Sequence, residues 1–314
     1  MDERVVGKSG LRVSAVGLGT MMWGRDTDEE QASEQLAAYL DAGGFLLDTA
    51  ASFGNGASEA LIGKLLGTMV NRRDLVLCTK AGVRSRRGRR VVDASRGALF
   101  DELDDSLTRL GVDHVDLFVV QAFDPRVPAA ETAAALADIV RTGRARYVGV
   151  GGYGAWQLAR TGTLLEGLGV PLTAAQVEVS LLAHARQVEL EPVADELGVG
   201  VIGWSGLGRG VLTGKYRHGT PPDSRAASDH FGPYVRPLLS AGHARVVEAV
   251  VTAAKGLDAS AAEVSLAWAR DRPGVASVVI GARTAAQLSS VLTADEIELP
   301  DAIRTALDDV CAGL

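Results

Sequence analysis

Eight apolar runs alternate with amphipathic, helix-forming stretches along almost the whole chain, and this order constrains the fold more than any other feature. The runs are Ala15–Thr20, Phe45–Ala50, Asp74–Lys80, Asp116–Gln121, Ala145–Gly152, Leu172–Ser180, Val199–Ser205 and Ala276–Gly281. They are apolar at nearly every position rather than at every second one, which is typical of parallel strands covered on both faces. Eight strand–helix units in about 250 residues predict an α/β fold of the (β/α)8 type, a TIM barrel.

A doubly wound sheet is the main alternative for alternating strands and helices. Such a sheet places a Gly-rich phosphate loop, with the spacing GxGxxG, directly after its first strand. The stretch GLGTMMWG, at Gly17–Gly24, lacks that spacing. The opening RVVGKSGLRVSAV predicts a short β-hairpin that turns at Gly7–Gly10, ahead of the barrel. No linker or low-complexity segment interrupts the chain, so we expect one domain over residues 1–314.

The distribution of charge argues against a nucleic-acid-binding surface. The net charge is −7, and both signs are interspersed along the chain. One stretch is an exception, because RSRRGRR, at Arg84–Arg90, is strongly basic. Its glycine and its position after an apolar run predict a mobile surface loop. A clamp on an anionic group of a substrate is a more plausible role for this loop than nucleic-acid binding.

The cysteines and the apolar content exclude further classes of protein. Cys78 and Cys311 are far apart, and no Cys/His cluster has metal-ligand spacing, so we expect no metal. The N-terminus lacks the apolar segment of a signal peptide, and no run approaches the ~18 residues needed to cross a bilayer. The sequence therefore predicts a cytoplasmic protein that acts on a small molecule, without a membrane or nucleic-acid partner. Nothing in it sets the oligomeric state, and a monomer is the default.

Two charged residues stand where the active site of such a barrel forms, at the carboxyl ends of its strands. Asp48 and Lys80 each end an apolar run, and the two runs are neighbours in the chain. A lone charge there would be costly to desolvate, whereas a pair costs much less. The two side chains are therefore predicted to meet, either as a salt bridge at the rim or as a pair that tunes a third group.

At these residues the chain resembles the aldo-keto reductases, NADPH-dependent (β/α)8 enzymes that reduce carbonyl groups. The resemblance covers nearly the whole chain and rests on motifs in the family's order and spacing. These are GLGTMMWG, LLDTAASFGNGASEALIG, LVLCTKAG, LTRLGVDHVDLF, GWSGLGRGVLTGKY and VVIGARTAAQL.

The resemblance implies a catalytic set of Asp, Tyr, Lys and His, of which this chain keeps half. The Asp falls on Asp48 and the Lys on Lys80, but the tyrosine position holds Phe53 and the histidine position holds Gln121. The chain thus resembles a divergent member that lacks the general acid. The family's Ser-Asn pair after the fifth strand is also replaced, by Gly151-Gly152.

The resemblance further implies an NADP-binding site whose phosphate end is kept. The cofactor-binding positions are Gly19, Thr20, Met21, Asp48, Gln176, Trp204, Ser205, Leu207, Gly208, Gly210, Lys215, Gly281, Arg283 and Gln287. Small residues in SGLGRG suit a pyrophosphate, and the fork of Arg283 suits a 2′-phosphate. The substrate pocket is expected to be lined by Trp23, Phe53, Phe123 and Tyr153.

Three functions remain open at this stage. The first is an NADP-dependent oxidoreductase with an atypical site, acting on a C=O, C=N or activated C=C bond. The second is a non-redox lyase, isomerase or cyclase on the same barrel, and the third is a catalytically inert NADP(H)-binding protein. Tyr153, Glu178, His230 and Tyr234 are candidates to replace the missing acid, the last two within a segment, Tyr216–Tyr234, that is expected to cover the cofactor cleft.

Overall fold

Eight parallel strands close into a barrel with helices packed around it. A computed structural model of the protein describes residues 1–86 and 89–312. Its strands are β1 (Glu3–Val5), β2 (Arg12–Ser14), β3 (Val16–Gly19), β4 (Leu46–Asp48), β5 (Val76–Ala81), β6 (Val83–Arg86), β7 (Arg89–Val92), β8 (Val115–Val120), β9 (Ala145–Gly151), β10 (Ala174–Glu178), β11 (Gly200–Trp204) and β12 (Val275–Ile280). The barrel order is β10-β11-β12-β3-β4-β5-β8-β9, which confirms the predicted (β/α)8 fold.

The helices follow the strands as the alternating pattern predicts. They are α1 (Glu29–Asp41), α2 (Ala57–Leu65), α3 (Arg96–Leu110), α4 (Ala129–Arg141), α5 (Ala155–Gly167), α6 (His184–Leu197), α7 (Gly232–Val235), α8 (Ala241–Gly256), α9 (Ala261–Arg270), α10 (Ala285–Leu292) and α11 (Asp301–Cys311). In the part of the chain that the structure describes, no helix is long and apolar enough to span a membrane.

The predicted N-terminal hairpin is confirmed, and it closes one end of the barrel. β1 and β2 pair antiparallel, and the buried Val6 and Val13 pack with strand residues of the barrel interior such as Leu46. The Lys8 N–H donates to the Gly198 carbonyl, 2.8 Å away, just before β11 begins. The hairpin therefore covers the amino ends of the strands and leaves the carboxyl ends for a functional site.

A second hairpin corrects the prediction for the basic stretch. Residues expected to form an irregular loop instead form two antiparallel strands, β6 and β7, with Val83 opposite Val92 and Arg86 opposite Arg89. Residues 87 and 88, which come between these two strands in the sequence, lie outside the described residues. The two strands were not predicted because a stretch made almost entirely of arginines has no apolar periodicity by which a strand is recognised.

An ion pair with a fully buried carboxylate fixes the segment between β4 and α2, which carries Phe53. Glu59, in the first turn of α2, is fully buried. One of its oxygens accepts from the Thr79 hydroxyl at 2.5 Å, and the other lies 2.6 Å from a guanidinium nitrogen of Arg109 on α3. Because a buried charge without a partner is costly, this contact ties the segment to the outer helices.

Replacing Arg109 with methionine should therefore lower the free energy of unfolding by about 2–3 kcal/mol. The change keeps a long apolar stem but leaves the Glu59 carboxylate with only the Thr79 hydroxyl. Urea unfolding followed by circular dichroism measures the loss. The matched control is Arg109→Met combined with Glu59→Gln, which should recover part of it. An equal loss in the single and double variants would contradict the explanation.

Candidate active site

The centre of the site is a buried ion pair at the mouth of the barrel. Asp48 is the last residue of β4, and Lys80 lies near the end of the adjacent β5. The Lys80 Nζ is 2.7 Å from Asp48 Oδ2 and also donates to the Thr49 carbonyl at 2.5 Å. Lys80 is 6% exposed and Asp48 is 5% exposed. The attraction between their charges is therefore the main interaction that offsets the cost of removing both from water.

Gln176 completes the hydrogen bonding of Asp48. Its Nε2 donates to Asp48 Oδ1 at 2.6 Å and lies 3.6 Å from the Cys78 sulfur. Burial, with the nearby Asp48 carboxylate, raises the pKa of the Cys78 thiol well above its usual range. Both oxygens of the carboxylate are thus held, and the cysteine is a neutral thiol rather than a nucleophile.

Phe53 presents an aromatic ring to the ammonium group. It begins a short 3-10 helix, Phe53–Gly56, that follows β4. Its ring centroid is 5.0 Å from the Lys80 Nζ, within the range of a cation–π interaction. The ring is only partly buried and supplies no group able to give up a proton.

A polar pair links the residue before Phe53 to the carboxyl end of β8. Gln121 directly follows β8, and its backbone N–H donates to the Ala81 carbonyl at the end of β5. The Ser52 hydroxyl donates to Gln121 Oε1 at 2.9 Å. Among the described residues, the Gln121 side-chain nitrogen has no acceptor. It is therefore a hydrogen-bond donor available at the mouth.

Of the other aromatic residues expected to line a pocket, Phe123 and Tyr153 pack together, whereas Trp23 lies apart from them in the core. Phe123 and Tyr153 pack edge to face at 5.3 Å, and Phe123 packs in the same way on Trp156 at 5.5 Å. Trp156 is 63% exposed and was not among the predicted pocket residues. The prediction that Trp23 lines the pocket is corrected by the structure. Trp23 is fully buried, and its indole N–H donates to the Gln35 side chain, so it is a core residue.

The tyrosine of this group is poorly suited to replace the missing acid. Tyr153 is 3% exposed and packs within the outer layer of the core, away from the cluster of residues inside the barrel. Burial, with the nearby Asp124 carboxylate, raises the pKa of the Tyr153 hydroxyl. A raised pKa makes the hydroxyl a weaker acid.

A second region of the mouth lies on β10, β11, β12 and β3, which are neighbours in the barrel. The loop Ser205–Gly210 follows β11, with Ser205 and Arg209 both in the left-handed region at φ 59°. Arg209 donates to Glu178 Oε2 and to the Tyr234 carbonyl, each at 2.7 Å. This arginine, absent from the predicted set, ties the loop to the segment Tyr216–Tyr234.

Three arginines converge near the same segment. The guanidinium carbons of Arg25 and Arg225 lie 4.5 and 5.6 Å from the Phe231 ring centroid. Burial lowers the pKa of Arg225, and the nearby cations Arg283 and Arg25 lower it further. Arg283 was predicted, whereas Arg25 and Arg225 were missed because their approach depends on how two distant loops fold.

The acids near this cluster neutralise it only in part. Arg25 is paired with its neighbour Asp26 through a bond from Nε at 2.7 Å. Arg283 has a looser contact of 3.7 Å with Asp223, whose side chain is 80% exposed. Arg225 has no ion pair or hydrogen bond with any described residue. The cluster is therefore a place where an anion would be stabilised.

A comparison with protein families decides what kind of protein carries this site. The model of the aldo/keto reductase family matches residues 15–311. The chain belongs to the aldo/keto reductase family.

Relatives of this aldo/keto reductase include proteins of different kinds. An uncharacterized oxidoreductase of Bacillus subtilis (strain 168), YrpG, is 33% identical over 100% of this chain and 97% of its own length. L-glyceraldehyde 3-phosphate reductase of Escherichia coli (strain K12) is 35% identical over 92% of this chain and 86% of its own length. A probable voltage-gated potassium channel subunit beta of Oryza sativa subsp. japonica is 32% identical over 90% and 87%, respectively. The first two names support an oxidoreductase.

The other positions implied by the resemblance in this aldo/keto reductase lie at or after the carboxyl ends of β3, β11 and β12, and they differ in exposure. Thr20 is fully buried, and its hydroxyl donates to the Asp48 carbonyl at 3.1 Å. Met21 is 36% exposed, and Trp204 and Leu207 are partly buried. The remaining positions are the buried Gly19 and Gly208, the partly buried Gly210, and the exposed Lys215, Gly281 and Gln287. Within the described residues no cluster of acids, histidines and cysteines could hold a metal ion.

Proposed function

We propose that this aldo/keto reductase is an NADP(H)-dependent oxidoreductase with an atypical active site. It would act on a C=O, C=N or activated C=C bond of a small molecule, at a site formed by Asp48, Phe53, Lys80 and Gln121. The observation that carries the proposal is the cluster of Arg25, Arg225 and Arg283 beside the carboxyl ends of β11, β12 and β3.

The arginine cluster fits a phosphorylated dinucleotide. Arg225 is largely removed from water and forms no direct ion pair with any described residue, so an anion beside it would relieve an existing cost. Guanidinium groups bind phosphate through two parallel hydrogen bonds. The exposed amide of Gln287 accepts from the Arg283 N–H at 3.1 Å and lies at the same edge. Bound NADPH would supply a hydride; these residues would hold its phosphates.

The other half of the mouth determines which bonds could be reduced. Reduction of a ketone also needs a proton, and a positioned acid contributes about 100- to 10,000-fold to such reactions. Phe53 supplies none, and the Gln121 amide donates a hydrogen bond without titrating. The site therefore favours substrates that bring their own acid, such as a protonated imine, or an activated C=C bond.

An inert NADP(H)-binding protein is the second candidate. Phe53 favours it, because a site that binds cofactor but lacks a proton donor would turn over slowly with ordinary carbonyls. The similarity to a protein named as a probable voltage-gated potassium channel subunit beta also supports this candidate, because that name describes no enzyme activity. Steady oxidation of NADPH with an imine or enone substrate would decide for the oxidoreductase.

Replacing Arg225 with leucine, together with Arg283→Leu, should weaken NADPH binding by about 100-fold, as expected for two charge-assisted contacts. NADH, which lacks the 2′-phosphate, should be affected far less. Cofactor fluorescence measures both affinities. Arg245→Leu is the matched control, because Arg245 is exposed and has no described partner.

A second measurement separates loss of binding from loss of folding. Since the change removes like charges that face one another, the variant without cofactor should be at least as stable to urea as the natural chain. The proposal would be contradicted if the natural protein bound NADH as tightly as NADPH, or bound neither.

A further inference from the structure

The β6–β7 hairpin stands at the edge of the proposed active site. β6 begins at Val83, three residues after Lys80, and Gly82 makes the turn between the barrel strand and the hairpin with φ 88°. The Asp93 N–H donates to the Gly82 carbonyl at 3.0 Å and closes the base of the hairpin. The hairpin is therefore an extension of the barrel wall at the carboxyl end of β5.

The base of this hairpin is held by charged contacts that use its nearby acids. Arg84 is 2.6 Å from Asp93 Oδ2 and 3.8 Å from Glu102 Oε1. The second oxygen of Glu102 accepts from the Gly82 N–H at 2.9 Å. On the other side, Arg126 donates to the Val92 carbonyl. Arg84 thus has a structural role that its counter-charges explain.

Arg89 and Arg90 on β7 have no such explanation. Both are exposed, and neither side chain forms an ion pair or hydrogen bond with any described residue. Arg90 lies opposite Ser85, two residues beyond Val83, which places it roughly 7 Å above the base at about 3.3 Å per residue. Because successive residues of a strand point to opposite faces, the two side chains leave opposite faces of the hairpin. Exposed cations that form no ion pair do not stabilise the hairpin, but they produce a positive potential next to the mouth.

We propose that Arg89 and Arg90 bind an anionic group of the phosphate class carried by the substrate. The inference rests on the proposed function only in placing the substrate at the mouth beside Lys80. The planar fork of one guanidinium matches two oxygens of a phosphate better than it matches a neutral polar group, so the arginine on the face that meets the substrate is sufficient to hold the anion. The site is separate from the arginines assigned to the cofactor, which lie beyond the other strands of the barrel.

The test measures binding rather than turnover. Isothermal titration calorimetry is performed on the whole protein saturated with NADP+, with glycerol 3-phosphate and inorganic pyrophosphate as probes and glycerol as the neutral comparison. The natural protein should bind at least one phosphate probe at least 10-fold more tightly than glycerol. Arg89→Ala with Arg90→Ala should weaken that binding about 10-fold, and added salt should weaken it in the natural protein.

The controls separate this inference from the proposed function. Arg245→Ala should leave binding of the phosphate probe unchanged, and NADP+ affinity, measured first, should be the same in all variants. Failure of NADP+ to bind would count against the oxidoreductase alone, and the probes would then be titrated without it. Equal binding of the phosphate probe by the natural protein and the double variant would overturn the inference. So would hairpin-dependent binding of single-stranded DNA or anionic vesicles at least 10-fold tighter than that of either probe.

Discussion

Replacing Phe53 with tyrosine should raise the rate of NADPH-dependent carbonyl reduction by about 100- to 10,000-fold, the usual contribution of a positioned acid. The added hydroxyl would project from a ring whose centroid is 5.0 Å from the Lys80 Nζ. A nearby ammonium group makes a phenol a stronger acid. The ammonium is already fixed by Asp48 and the Thr49 carbonyl, so it needs no rearrangement to act on the new group.

The measurement is the rate of NADPH oxidation with a panel of simple aldehydes and ketones. Phe53→Leu is the matched control, since it changes the ring without adding an acid and should leave the rate low. Tight NADPH binding by Phe53→Tyr without any gain in rate would show that the missing hydroxyl is not the only defect. The glycines at 151 and 152, where the resemblance implies a serine and an asparagine, would then be the next positions to change.

The barrel could be predicted because its signal is local and repeated. Each strand of the barrel lies within or within one residue of its apolar run, and helices separate these strands as the alternating pattern predicts. The contact between Asp48 and Lys80 followed from the same reasoning, because charges that end adjacent parallel strands meet at one edge. Helices α8 and α11 were not placed, since they follow no strand in the repeating pattern.

The features that were missed depend on contacts between distant segments. Trp23 is a large aromatic residue just after the first barrel strand, which suggested a pocket wall. Its side chain is instead buried in the core, where it donates a hydrogen bond to Gln35. Arg25 and Arg225 are 200 positions apart in the sequence, and only the folded loops bring both to Phe231. A contact between residues so far apart leaves no periodic pattern in the sequence, so the sequence alone did not predict it.

The two cationic sites divide the mouth of the barrel between cofactor and substrate. The arginine cluster lies by β11, β12 and β3, whereas the hairpin extends from β5, and β4 with Asp48 lies between them. If both proposals hold, the Asp48–Lys80 pair lies between two bound anions. The contribution of this pair to stability and activity is therefore the next quantity to measure.

Replacing Lys80 with methionine should lower the free energy of unfolding by about 3–5 kcal/mol, the usual cost of removing one partner from a buried ion pair. The Asp48 carboxylate would keep the Gln176 N–H but lose its counter-charge. Activity with any substrate should also fall. Urea unfolding gives the stability, and NADPH fluorescence shows whether the cofactor site survives.

The double variant Asp48→Asn with Lys80→Met separates the cost of an unpaired charge from the loss of packing. An asparagine can still accept from Gln176, so the double variant should lose less than about 2 kcal/mol, the Thr49 carbonyl being left without its donor. Burial favours the protonated form of an unpaired carboxyl. The folded single variant would then bind more protons than its unfolded chain, so its deficit should shrink as the pH is lowered. A deficit that is the same at all pH values, and the same in single and double variants, would show that Lys80 contributes packing rather than charge.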